Sequence, residues 1–121
     1  MAETVHIKSK YLNDEAHLVW GQYENGTPRL ALFSDIGEPL SVPTVALPGT
    51  SPRPGHIFVR TYSQGAGMVE GMIEAGIIEK PVRWLRAGYE VNGIAECPLT
   101  PEHAAEVQEM LEVYNGERAW Q

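Results

Sequence analysis

Four histidines are the imidazole side chains in this chain that could ligate a metal ion: His6, His17, His56 and His103. No two of them have the His-x-x-x-His or His-x-His spacing that directs two imidazoles at one ion. We expect His17 and His56 to be half-buried on strands, and His103 to be exposed near the start of the last helix. The sequence therefore predicts no metal site.

Cys97 is the one thiol that could act as a nucleophile. It precedes Pro98 at the expected end of a strand, with no helix N-terminus behind it to lower the pKa of the thiol. The serines in "YSQG" and "GTSP" do not match a nucleophile elbow. The stretch "GAGMVEG" lacks the spacing and the parallel βαβ frame of a dinucleotide fingerprint. We therefore predict no catalytic residue and no cofactor, and we interpret the protein as a non-enzyme.

A row of glutamates near the end of the chain is the pattern that we interpret as a binding surface. The stretch "TPEHAAEVQEMLEVYNGER" predicts a helix that Thr100 caps, with Pro101 at its first position and Asn115-Gly116 at its end. At about 100° per residue, its apolar and its acidic residues fall within two separate arcs of about 120° each. The arc predicted to be buried contains Ala104, Val107, Met110, Leu111 and Tyr114. The acidic arc contains Glu102, Glu106, Glu109 and Glu112.

The acidic arc has two interpretations. Pairs such as Glu102 and Glu106 repel at a cost of a few tenths of a kcal/mol, about 0.2–0.5 kcal/mol each, and no Lys or Arg within the predicted helix offsets them. The arc is either a solvated face that keeps the protein soluble or a negative stripe for a basic surface that normally holds nucleic acid. Trp84 in "VRWLR" and Trp120 are candidate apolar anchors of such a contact, since Trp and Arg are enriched at hot spots. A core position is the alternative for Trp84.

Net charge points to the same end of the chain. The chain has 121 residues and a formal net charge of −7. Residues 96–121 hold six acids and one base, whereas residues 1–95 hold ten acids and eight bases. An acidic surface repels a phosphate backbone and attracts a basic protein. We therefore predict a protein partner with a basic surface and no direct binding of nucleic acid.

Length and composition predict a single cytoplasmic domain over residues 1–121. A chain of this length can bury a core without metal or disulfide staples, and one cysteine cannot form an internal disulfide, which favours a reducing compartment. No apolar run reaches the roughly 20 residues that span a bilayer, and the first residues lack the apolar core of a signal peptide. We expect a sheet and a glycine-rich helix in residues 1–100, the acidic helix in 101–115 and a tail in 116–121.

Alternating apolar residues predict an α+β fold with a mainly antiparallel, twisted sheet of five or six strands. The first strands form a meander, with a hairpin turn at Asn25-Gly26. Pro43 argues for an edge or a bulge in the strand predicted at residues 41–47. Residues 48–55 are too rich in proline and glycine for a regular element. The predicted strands cover residues 4–8, 16–23, 29–35, 41–47 and 56–62, with one or two more in 81–99.

After residue 62, the spacing of the apolar residues changes from every second residue, as in a strand, to that of a helix. Ser63 is the predicted N-cap of this glycine-rich helix and Gly76 the residue that ends it. Gly71 in its interior indicates close packing against a strand, with a backbone-exposed partner site as the alternative. Asn92-Gly93, further on, is either a second hairpin turn or a bulge.

Residues 35–100 resemble a family of small proteins that plasmids, phages and integrative elements carry, a domain of unknown function. The shared pattern is Gly-Glu-Pro before a strand, a "FV" strand, a glycine-rich short helix that ends in Gly-Ile, and "GY" before a closing strand with Cys. The family has "TVN" where this chain has "TVA", and the acidic helix is an addition to its pattern. The matching residues are Gly37, Glu38, Pro39, Phe58, Val59, Gly67, Gly76, Gly88, Tyr89 and Cys97.

The resemblance implies a shared fold and a mobile-element context, and it brings no catalytic residues. Small acidic proteins of mobile elements often disarm host defences such as CRISPR effectors or restriction enzymes. Combined with the acidic arc, this predicts a non-enzymatic inhibitor, in particular an anti-CRISPR protein, that binds a basic nucleic-acid-handling surface of a host defence complex. The alternative is a small-ligand or regulatory domain with a pocket between the sheet and the glycine-rich helix. A homodimer through an edge strand is a further expectation.

Overall fold

The computed structural model describes residues 4–119, and the side chains of all of these except residue 64 and residues 114–119. This part of the chain has α+β architecture, with two α-helices and two antiparallel sheets. The strands are β1 (Thr4–Lys8), β2 (Asn13–Gln22), β3 (Pro28–Phe33), β4 (Pro39–Ser41), β5 (His56–Arg60), β6 (Arg83–Ala87) and β7 (Glu90–Pro98), and the helices are α1 (Met68–Glu74) and α2 (Pro101–Ala119).

The first sheet is a four-stranded meander in the order β1-β2-β3-β4, as the alternation predicted. The loop between β2 and β3 is the predicted hairpin turn. The Tyr23 and Gly26 N–H groups donate to the Thr27 and Tyr23 carbonyls at 2.8 and 2.9 Å. Only Gly26 of the Asn-Gly pair has a positive φ, +86°. The turn therefore needs glycine at one position rather than two.

The second sheet has the order β5-β7-β6, so the prediction of one sheet with five or six strands is wrong. The seven strands divide because the segment between β4 and β5 cannot continue a ladder. It contains Pro43, Pro48, Pro52 and Pro54, and each proline lacks the N–H that a ladder position requires. The predicted strand over residues 41–47 is likewise wrong, since the paired segment is Pro39–Ser41.

Thr44 joins the two sheets at the point where the ladder stops. Its backbone forms a single bridge with Val59 of β5, while its buried hydroxyl accepts the Leu30 N–H of β3 at 3.0 Å. The Tyr23 hydroxyl donates to the Thr44 carbonyl at 2.9 Å. The Thr44 hydroxyl thus gives a backbone N–H of β3 an acceptor beyond the end of β4.

β6 and β7 form a hairpin whose turn is Gly88-Tyr89, between the paired residues Ala87 and Glu90. Leu85 pairs with Ile94, so one residue of β6 lies opposite three of β7. Asn92-Gly93 lies in this irregular stretch, which confirms the bulge and excludes the turn among the two predicted alternatives. β6 is an edge strand of the second sheet.

α1 ends as predicted and begins differently. The Gly76 N–H donates to the Ile73 carbonyl and the Ile77 N–H to the Met72 carbonyl, each at 3.0 Å, and Gly76 has φ +80°. This is the Schellman arrangement that favours glycine after a helix. Ser63 is not the N-cap of α1: it opens a separate 3₁₀ turn, Ser63–Gly65, and the N-cap is Gly67.

α2 begins at Pro101, as predicted, and extends to Ala119, four residues beyond the predicted end at Asn115. The Thr100 carbonyl accepts the Ala104 N–H at 2.8 Å, as an N-cap carbonyl does. Its hydroxyl, however, donates to the Gly76 carbonyl at 2.8 Å rather than capping the helix. Thr100 therefore ties the start of α2 to the end of α1.

One cluster of buried side chains includes residues of both sheets and both helices. Gly71 lies where α1 approaches β1. A Cβ at this position would overlap the carbonyl oxygen of Lys8 and lie 3.6 Å from Cγ2 of Ile7. The predicted close packing of Gly71 against a strand is confirmed.

We predict that Gly71→Ala lowers the free energy of unfolding by about 2–3 kcal/mol, because the backbone of Lys8 must move to admit the methyl group. Chemical denaturation measures the change. Gly21→Ala is the matched control, since a Cβ on Gly21 of β2 would meet no atom within 4 Å. Equal stability of the two variants would contradict the packing described for Gly71.

Candidate functional site

α2 divides into two faces, as the sequence predicted. Val107 is buried, and Ala104, Met110 and Leu111 are half-buried against the first sheet and the core. The acidic face, which we define as Glu102, Glu106, Glu109 and Glu112, is exposed. The side chain of Tyr114, predicted for the buried arc, lies outside the described residues. The predicted division therefore holds over the described part of the helix.

Glu106 has a second role that the sequence did not reveal. Its Oε1 accepts the indole N–H of Trp20 on β2 at 2.9 Å and lies 3.2 Å from Nδ1 of His103. The rings of Trp20 and His103 are 6.3 Å apart between centroids. The His103 side chain is only 13% exposed, so the expectation of an exposed histidine was wrong. Together these three side chains attach α2 to β2.

The other glutamates of the acidic face have few partners. Oε1 of Glu112 accepts a hydrogen bond from Nε2 of Gln108 at 3.2 Å. Among the side chains that the structure describes, no Lys or Arg forms an ion pair with the acidic face. A face with exposed carboxylates and no bound cation keeps its field directed outward.

We predict an energetic coupling of about 1 kcal/mol between Trp20 and Glu106, because their hydrogen bond has one charged partner at a partly exposed site. A double-mutant cycle of Trp20→Phe and Glu106→Ala, followed by chemical denaturation, measures it. Glu109→Ala provides the control cycle, with additive effects expected. Additive effects in both cycles would show that the hydrogen bond does not hold the helix.

Glu96 is a buried acid near the end of β7, and its side chain is 0% exposed. Its Oε1 accepts Nε of Arg83 at 2.8 Å and lies 2.7 Å from Nη2 of the same guanidinium. Its Oε2 accepts the backbone N–H of Arg53 at 3.0 Å. Burial raises the pKa of Glu96, but the Arg53 N–H bond, the Arg83 hydrogen bond and the two positive charges outweigh it, so the pKa lies below its usual value. Glu96 thus fixes both β6 and the proline-rich loop, residues 48–55.

We predict that Glu96→Gln lowers the free energy of unfolding by about 2–3 kcal/mol at neutral pH, since it removes a charge-assisted pair. The folded pKa is depressed below the ordinary value of 4.5. The stabilisation is therefore fully present well above pH 4.5 and is lost as pH falls through the lower folded pKa. Denaturation across the acidic range should show a smaller pH dependence in Glu96→Gln than in the wild type. Parallel pH profiles of the two proteins would contradict this role; the exposed acid Glu79→Gln is the control.

Of the two tryptophans proposed as anchors, Trp84 lies within the described residues. Trp84 lies on the edge strand β6 of the second sheet and is 49% exposed, so it is not a core residue. α2 packs instead on β2 of the first sheet. Exposed apolar residues near Trp84 in sequence are Val82, Tyr89 and Val91. Trp120 lies outside the described residues.

Little nucleophilic or ligating chemistry is available in the described residues. Burial, with a smaller effect of the Glu96 charge, raises the pKa of the Cys97 thiol to about 12, so the thiolate that would react is scarce at neutral pH. His17 and His56 are half-buried, as predicted. Within residues 4–119, no group of three or more His, Cys, Asp and Glu side chains is arranged to hold a metal ion, and no helix has the length and apolar character to cross a membrane.

Two clefts bear on the alternative of a ligand-binding domain. One of about 280 Å³ lies between β1 and α1, where the alternative placed its pocket, and its lining includes His6 and Glu74. Another of about 290 Å³ lies between the β2–β3 turn, the proline-rich loop and α2. The second cleft has the more varied lining and lies on the inner side of the helix that carries the acidic face.

No protein-family model, no curated protein and no solved structure matches this chain. The resemblance of residues 35–100 to a mobile-element family therefore stays a prediction.

Two residues of these arrangements were not recognised from sequence as site residues, Trp20 and Glu96. An acid within the apolar stretch "IAEC" is the signal for Glu96, because a buried carboxylate requires a partner. Arg83 is the partner that Glu96 finds, at 2.7 Å between Nη2 and Oε1. No comparable signal identifies Trp20, whose partner Glu106 is 86 residues away in the sequence.

Proposed function

We propose that this protein is a non-enzymatic inhibitor that places the acidic face of α2 on a basic, nucleic-acid-handling surface of a host defence complex. A CRISPR effector is the class of target to which we assign it first. The mobile-element context rests on the resemblance of residues 35–100. The proposed mode of binding rests on the acidic face.

The supporting observation is the spacing of the carboxylates. Glu102 and Glu112 are ten residues apart, which is about 15 Å along a helix, and the face holds four carboxylates over that length. One strand of B-DNA carries a charge every 3.4 Å, or about four charges over 15 Å. The acidic face thus has the linear charge density of one DNA strand, on a rod that fits the same kind of groove.

Attachment of the helix also favours this function. The Trp20–Glu106 hydrogen bond and the burial of Val107 hold α2 on the first sheet with the acidic face outward. Because the face is held in place before binding, less side-chain and backbone freedom is lost when it binds. Trp84, which is 49% exposed on the edge strand β6, stays a candidate apolar anchor of this contact.

We predict that wild-type protein captures a nucleic-acid-targeting complex from host lysate at low salt and releases it at high salt, because exposed charge pairs are screened. The triple variant Glu102→Lys, Glu109→Lys and Glu112→Lys should lose capture while keeping its circular dichroism spectrum. Glu106 is left unchanged because it attaches the helix. Mass spectrometry identifies the captured proteins.

The control variant carries Glu24→Lys, Asp35→Lys and Glu38→Lys, three exposed acids in the turns of the first sheet. Both triple variants change the net charge from −7 to −1, since each substitution adds two positive charges. Retention by the control alone supports the acidic face as the contact. Equal retention by both variants, or capture that high salt does not weaken, would refute it.

A further inference from the structure

The cleft on the inner side of α2 has the construction of a small-molecule site. Its volume is about 290 Å³, at the lower end of the range of roughly 300–1,000 Å³ for ligand pockets. One wall is the proline-rich loop, with Pro52 and Pro54, and the facing wall is α2, with Val107 and Leu111. Apolar walls with a few placed polar groups are typical of such sites.

Thr27 supplies a buried polar group in the lining of this cleft. The residue is 1% exposed, and its hydroxyl forms no hydrogen bond with any described group of the protein. Buried hydroxyls are nearly always hydrogen-bonded, so this one is suited to a polar atom of an occupant. Its backbone is held independently, since its N–H donates to Oδ1 of Asn25 at 3.1 Å and its carbonyl accepts the Tyr23 N–H.

Arg53 supplies a positive charge in the lining of the cleft. It is the one lining residue with a permanent charge, although the protein as a whole is strongly acidic. Its backbone is fixed by the 3.0 Å hydrogen bond to Glu96, whose carboxylate is paired with Arg83. The Arg53 guanidinium forms no ion pair with a side chain of the described range. A guanidinium without an ion-pair partner beside apolar walls selects a carboxylate.

We propose that this cleft binds a small carboxylic acid with a compact apolar body. The body packs between Pro54 and Val107, the carboxylate pairs with Arg53, and the Thr27 hydroxyl donates a hydrogen bond to the ligand. Because α2 forms one wall, an occupied cleft also stabilises the attachment of the helix. No glutamate of the acidic face is among the residues that line the cleft.

The first test uses three probe acids, phenylacetate, 3-phenylpropanoate and indole-3-acetate, each paired with its neutral primary amide. The full chain, labelled with ¹⁵N, is titrated to millimolar concentrations of each probe, and amide chemical shifts are recorded. We expect the acids to shift the amides of Thr27, Arg53, Val107, Gln108 and Leu111, and the neutral amides to bind about fivefold more weakly. The proposal is overturned if no acid shifts these signals, or if acids and amides bind equally.

Variants then separate binding from folding. Arg53→Gln should weaken the binding of the acids about fivefold, whereas Arg86→Gln, on the exposed edge strand, should leave it unchanged. Thr27→Val should weaken binding about fivefold and leave the Tm of the free protein equal or higher, because it removes a hydroxyl without a partner. Unchanged binding in both Arg53→Gln and Thr27→Val would overturn the assignment of the ligand's position.

Discussion

The hydrogen bond from the Trp20 indole to Glu106 is the contact on which the arrangement of α2 depends. Side chains repeat about every 100° around a helix, so fixing Glu106 on β2 and burying Val107 sets the rotation of the whole helix. That rotation directs Glu102, Glu109 and Glu112 into solvent. The same rotation places Val107 in the lining of the cleft, so that α2 forms one of its walls. Both proposed surfaces therefore depend on one attachment.

Glu96 organises the second sheet and the proline-rich loop. Its buried carboxylate joins Arg83 of β6 to the backbone of Arg53 in the proline-rich loop, and a loop with so many prolines has few N–H groups with which to hold itself. A lone buried carboxylate would be costly, and the two hydrogen-bonding partners offset that cost. The acid count of the C-terminal segment thus overstates its free charge, since Glu96 is paired internally with Arg83. Glu106 keeps its charge because its Trp20 partner is neutral, so the acidic face retains four negative charges.

Local features of the fold were predictable from sequence, and long-range partners were not. The Schellman end at Gly76, the tight approach at Gly71 and the two faces of α2 follow from residue type and period over a few residues. The link between the two sheets depends on Thr44 bonding to β3 and β5, which are not neighbours in the chain. The Trp20–Glu106 pair spans 86 residues and the Arg53–Glu96 pair 43. The periodic spacing of apolar residues shows which face of an element is buried. It does not identify the distant residue that packs against that face.

Competition with nucleic acid is the most direct measure of the central claim, that the acidic face substitutes for a phosphate backbone. A fluorescent duplex is bound to the captured effector complex, and its anisotropy is followed as the protein is added at low salt. The account predicts displacement of the duplex at about one protein per complex, and recovery of the duplex signal as salt is raised. Binding of the protein to the complex with the duplex still in place would contradict it.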